Sequence, residues 1–195
     1  MLTYQQTAAN FDLNQAAQEF LSGKLDALNA CEECCDRHAL PGRIALFWRG
    51  KDGRKLQYTF AELQKRAAQF ANFLKANGVA KGDRVSGLLP RTPELIITIL
   101  ATWRIGAVYQ PLFTAFGPKA IEHRLNLAKS KFVVTDPTNR DKLHEVEGCP
   151  SIVTVTGEKG TGLYQGDYSF WAELERQSTQ CEIEYLSMDD PFLLM

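Results

Sequence analysis

The sequence holds no apolar run near the roughly 20 residues a membrane-spanning helix needs. Its first ten residues, Met1 to Asn10, are polar and lack an apolar signal segment. Net charge is also missing: 22 basic residues stand against 23 acidic ones, leaving −1. That removes any global pull toward nucleic acid or an anionic membrane. The five cysteines are an odd number, and three of them cluster at Cys31, Cys34 and Cys35. A small secreted domain with a disulfide framework would look different. These absences predict a cytoplasmic protein with neither a membrane nor a nucleic-acid partner.

Catalytic signatures are equally scarce. There is no GxSxG and no GxGxxG, and the three histidines have no obvious serine or cysteine partner. His123 and His144 fall on predicted helices. Glu32-Glu33 and Asp189-Asp190 are adjacent pairs and read as solvated carboxylates. Cys31, Cys34, Cys35 and His38 lie at i, i+3, i+4 and i+7, on one side of a predicted helix. Thiolates and imidazole suit zinc, but one helix can hardly wrap four ligands tetrahedrally around an ion. No second CxxC exists, so these cysteines are expected to be buried and inert, with no metal. The glycine-rich stretch Gly157-Glu-Lys-Gly-Thr-Gly162 lacks the Gly-Lys-Ser/Thr entry into a helix that a phosphate loop needs. It reads as a surface connection.

What the chain does have is periodicity. Hydrophobic residues at 45% and charged residues at 23% are ordinary for a globular protein. Residues 15–38 carry a helical pattern, interrupted near Ser22-Gly23. Its second half, Lys24 to His38, places Leu25, Leu28, Cys31 and Cys35 on one face. Leu40-Pro41-Gly42 breaks it. Ile44 to Trp48 and Lys55 to Thr59 read as strands joined by the turn Lys51-Asp-Gly-Arg54. Thr59 and Glu62 form a capping box at the head of a helix that Asn77-Gly78 closes.

Strands then alternate with helices: Arg84–Leu89, Ala107–Leu112, Phe132–Thr135 and Ser151–Thr156, with helices opening at Thr92-Pro93, Pro118 and Asn139. Phe170 to Arg176 suits one or two helical turns. This alternation predicts an α/β fold, a mostly parallel sheet flanked by helices, with a small N-terminal helical segment and a hairpin. One domain is expected over 1–195: a helical lead-in (1–43) and an α/β portion (44–195). The run Pro191-Phe-Leu-Leu-Met195 reads as the start of a further strand, so the domain is expected to be incomplete. Ligands of such sheets bind beyond the carboxyl ends of the strands. Those ends are Leu89-Pro90-Arg91, Leu112 to Gly117, and Thr135-Asp136-Pro137.

Five segments in order resemble the acyl-adenylate-forming superfamily. Leu28-Asn29 to Asp36-Arg37-His38 is similar to the Leu-Asn…Asp-Arg-His segment of acetyl- and propionyl-CoA synthetases. Tyr58-Thr-Phe-Ala-Glu-Leu63 resembles the first core motif of the superfamily. Gly82-Asp-Arg-Val85, Leu89-Pro90, Pro93-Glu94 and Ala101 to Pro111 resemble the second. Phe113-Thr-Ala-Phe-Gly-Pro118 is similar to the Phe-Gly-Gly-Phe-Ser-Pro loop of acetyl-CoA synthetases, and Thr135-Asp136 follows at the expected distance.

The resemblance implies the first part of the large N-terminal domain of an AMP-forming acyl-CoA synthetase. The complete enzyme would activate a short-chain carboxylate with ATP and Mg2+ and pass the acyl group to CoA. The loop of Phe113, Thr114 and Ala115 would then lie beside the CoA pantetheine, with Thr114 and Ala115 standing where the family has glycines. Arg140 or Lys142 would contact the CoA phosphates; read locally, Arg140 is a solvated residue in the first turn of a helix. The TSGTTG-type phosphate loop, the adenine motif, the ribose-binding aspartate, the hinge and the catalytic lysine do not occur in these residues. No adenylation is therefore expected from this chain, whose partner would be the missing remainder of the protein. The competing reading is a stand-alone flavodoxin-like binding module without chemistry.

Overall fold

The structure is a computed structural model that describes residues 3–21, 26–156 and 163–195. The helix interruption at Ser22-Gly23, the helix start at Lys24-Leu25 and the connection Gly157–Gly162 lie outside the described residues. The lead-in begins with two short helices, α1 (Tyr4–Ala9) and α2 (Leu13–Phe20). The helix expected up to His38 is shorter than its pattern suggested: α3 spans Ala30–Cys34 and a 3-10 turn spans Asp36–His38. Leu28 instead forms an antiparallel bridge with Leu186. Asn29 explains the difference. Its side-chain oxygen accepts from the backbone of Cys31 (2.8 Å) and Glu32 (3.3 Å), which starts a new helix. Its amide donates to the carbonyls of Trp103 (2.7 Å) and Glu184 (2.8 Å). A long-range polar clamp thus overrides the helical periodicity.

The hairpin forms as expected, with β1 (Ile44–Arg49) antiparallel to β2 (Lys55–Thr59). Thr59 ends β2 and caps α4 (Phe60–Ala76). Its hydroxyl accepts from Glu62 N (3.1 Å), and the Glu62 carboxylate accepts from Thr59 N (2.7 Å). Leu63, Ala67, Phe70, Ala71 and Leu74 are buried along one stripe.

Five strands make the main sheet: β3 (Arg84–Leu88), β4 (Val108–Pro111), β5 (Phe132–Thr135), β6 (Ser151–Thr154) and β7 (Tyr168–Ser169). Their order is β4-β3-β5-β6-β7 and every pairing is parallel. Counted within the sheet this is 2-1-3-4-5, an order of doubly wound sheets. β7 has two residues, too few for a periodicity, and its position reads in sequence as loop.

Helices cover both faces. α4, α5 (Pro93–Arg104) and α8 (Phe170–Glu175) share the larger core, with Phe70, Phe73, Val85, Ile97, Val134, Val153 and Phe170. α6 (Pro118–Ala128) and the turn Asp141–Glu145 cover the other face through Leu88, Leu112, Ile121, Leu125, Val133 and Leu143. Thr92, expected to cap α5, makes no side-chain cap bond, and its hydroxyl is buried without a partner. Proline at the first helical position carries the start of α5 instead. Residues 192–194 lie along the β4 edge: Tyr109 N donates to Phe192 O (3.0 Å) and Leu194 N to Tyr109 O (3.0 Å). The apolar run that reads as a strand start does take a strand position there.

Candidate functional site

The sheet topology singles out one place. β3 leads into α5 on one face, while β4 and β5 on either side of it lead into α6 and α7 (Pro137–Arg140). Leu112, Ile121 and Leu143 show that the latter connections pack on the opposite face. Neighbouring strands that exit to opposite faces open a crevice at their carboxyl ends.

A relay of side chains spans that crevice. Asp136 caps α7, accepting from the backbone N–H of Asn139 (3.2 Å) and from its amide (2.6 Å). The Asn139 oxygen accepts from Lys142 Nζ (2.9 Å). Lys142 Nζ also donates to the Thr114 carbonyl (2.6 Å). The loop after β5 thereby grips the loop after β4. Phe113 is 65% exposed at the crevice. It meets Phe116 edge-on, and the Arg124 guanidinium lies 4.1 Å from the Phe116 ring centroid. Thr114 is half-buried and Ala115 exposed.

Arg140 is not the solvated residue its local sequence suggested. Its side chain is 7% exposed and pairs with Asp167, itself 3% exposed. The contact is bidentate, Nε to Oδ2 at 2.6 Å and Nη2 to Oδ1 at 2.9 Å. The hydrogen bond to Asp167 holds the guanidinium pKa up against the opposing effect of burial. Thr154 donates to the same carboxylate at 2.6 Å, and the Tyr164 ring lies 4.8 Å from the guanidinium. Arg140 Nη1 is buried and has no partner. Asp167 follows Gly166, which takes φ +92° in the turn before β7. Nothing in a local pattern links it to a residue 27 positions earlier.

The cysteine cluster is interior packing. The helix ends at Cys34, so Cys31 and Cys35 turn inward while Cys34 stays exposed. Burial, then the Asp36 charge, pushes the Cys31 thiol up; the same causes bring Cys35 up to about 12. Asp36 pairs with Arg104 at 2.8 Å, with both side chains under 10% exposed, and Arg104 Nη1 also lies 3.6 Å from Cys31 Sγ. Among the described residues no group of three or more His, Cys, Asp or Glu is placed to hold a metal ion. A cavity of about 410 Å³, lined by Gln64, Arg104 and residues 179–182, sits at the far end of α5, away from the crevice.

The family profile described as "AMP-binding enzyme" matches residues 31–195. The acetyl-coenzyme A synthetase of Bacillus subtilis is 34% identical over 98% of this chain and 34% of its own length. That of Shewanella denitrificans is 34% identical over 95% of this chain and 31% of its own. Among solved structures, the acyl-CoA synthetase of Brucella canis superposes with a TM-score of 0.95 at 45% identity, over 100% of this chain and 36% of that one. The chain thus spans about a third of the length of these relatives. Among the described residues, no helix is long and apolar enough to cross a membrane.

Proposed function

Because this chain belongs to the family of AMP-binding enzymes, we propose that it forms the first third of an AMP-forming acid–thiol ligase of the acetyl-CoA synthetase type. The complete enzyme would join a short-chain carboxylate to ATP as an acyl-adenylate and then pass the acyl group to CoA in the cytoplasm. The observation that carries this reading is the likeness to an acyl-CoA synthetase over the whole chain. The lead-in 1–43 and the α/β portion 44–195 are read as parts of one incomplete domain. A stand-alone flavodoxin-like module is not favoured, since the relatives that align over almost the whole chain are synthetases.

Within that enzyme we assign these residues the scaffold and a CoA-facing edge. Phe113 offers an exposed apolar face to the pantetheine arm, and Thr114 and Ala115 line its path. The side chains at Thr114 and Ala115 keep an arm further from the backbone than glycines would. Arg140 fits a phosphate contact poorly, because Asp167 already holds its charge. ATP and Mg2+ find no TSGTTG-type loop in these 195 residues. Backbone amides and a lysine around the phosphates stabilise the charge that develops in such chemistry, so no step of adenylation is assigned to this chain. The test is pyrophosphate release from ATP with acetate, propionate and longer carboxylates. The complete enzyme should release it fastest with the short acids and this chain should release none. Release by the chain alone, or no response to any carboxylate in the complete enzyme, would refute the proposal.

A further inference from the structure

Two cations stand at the candidate edge, and their surroundings differ. The Arg140 charge is cancelled by a buried, bidentate carboxylate. The Lys142 ammonium is half-buried, and its hydrogen-bond partners are two neutral oxygens, the Thr114 carbonyl and the Asn139 amide oxygen. Among the described residues it has no ion-pair partner within 4 Å. An ammonium has three donors, so one N–H remains for a ligand. A half-buried charge held by neutral acceptors attracts an anion more strongly than one already paired.

We propose that Lys142, and not Arg140, is the residue that binds the phosphate of a ligand at this edge, while the same ammonium holds the 113–117 loop against that ligand. The chemical class is a phosphate joined to a flexible, largely neutral arm: the phosphate sits at Nζ and the arm runs past Phe113. This rests on the CoA-facing reading above for the arm but not for the anion.

The test separates the two. The chain labelled with nitrogen-15 is titrated with inorganic pyrophosphate, 4′-phosphopantetheine and pantetheine, following the amide signals of Thr114 and Lys142. Wild type should respond to pyrophosphate and bind phosphopantetheine about 10-fold more tightly than pantetheine, the size of one charge-assisted contact. Lys142→Met should abolish both the pyrophosphate response and the preference, and Lys142→Arg should restore them. Arg140→Met, checked for folding by circular dichroism, should keep the preference; if it unfolds, the two Lys142 variants decide alone. A pyrophosphate response at Lys142 without binding of either pantetheine compound would remove the CoA reading and leave the anion site standing. A preference unchanged in Lys142→Met, or no response to any anion, would overturn the proposal.

Discussion

Single atoms decide several features of this molecule. Gly87 in β3 lies under the Tyr109 ring, and a Cβ there would come 2.2 Å from the tyrosine hydroxyl and 3.0 Å from ring carbons. That hydroxyl is buried without a partner, and burial pushes its pKa up. Gly87→Ala should therefore cost about 1–3 kcal/mol. Tyr109→Phe should be close to neutral, since it removes a polar atom that has no bond to lose. The double variant should recover part of the Gly87→Ala loss, and urea unfolding of the four proteins measures the coupling. Thiol chemistry offers a second check at this scale. Among Cys31, Cys34 and Cys35, only Cys34 is exposed. A maleimide at neutral pH should label Cys34 in the native chain and reach Cys31 and Cys35 only after unfolding, as peptide mass analysis would show. Equal labelling of all three would contradict the buried positions.

At the scale of elements, hydrogen bonds across the fold fix what periodicity leaves open. The cap of α4 is a local device, and it reads directly from Thr59 and Glu62. Hydrogen bonds from the Thr59 backbone and hydroxyl hold the Glu62 carboxyl below its usual range. A lowered carboxylate stabilises the fold above its unfolded pKa, about 4.3, and that contribution is lost as pH falls through the folded value. Thr59→Ala should cost about 1 kcal/mol at neutral pH, and the difference from wild type should shrink under acid, measured by thermal unfolding between pH 7 and pH 3.

The Asn29 and Asp36–Arg104 clamp is the opposite case. Asn29, Arg104 and Glu184 are far apart in sequence, so a helical reading of residues 24–38 cannot anticipate that Asn29 restarts the chain. Asp36→Ala would leave Arg104 buried without its carboxylate and should cost about 3–5 kcal/mol. A loss under 1 kcal/mol in urea titration would show that the pair is solvated.

Over the whole molecule, the parallel sheet, its helices and the crevice were legible because strands and helices alternate with clear turn residues. Phe132–Thr135 and its four buried side chains are one example. The candidate edge was legible only in part. Phe113, Thr114 and Ala115 follow a strand end that periodicity marks, and the structure places them at the crevice. The states of Arg140 and Lys142 were not legible, because Asp167 and the Thr114 carbonyl reach them through the fold and leave no spacing to read.

The decisive measurement is calorimetric titration of this chain with CoA and, separately, with ATP and Mg2+. The CoA-facing edge without a nucleotide site predicts saturable heat with CoA, competed by 4′-phosphopantetheine, and none with ATP. Micromolar or tighter binding of ATP, with no response to CoA, would contradict it.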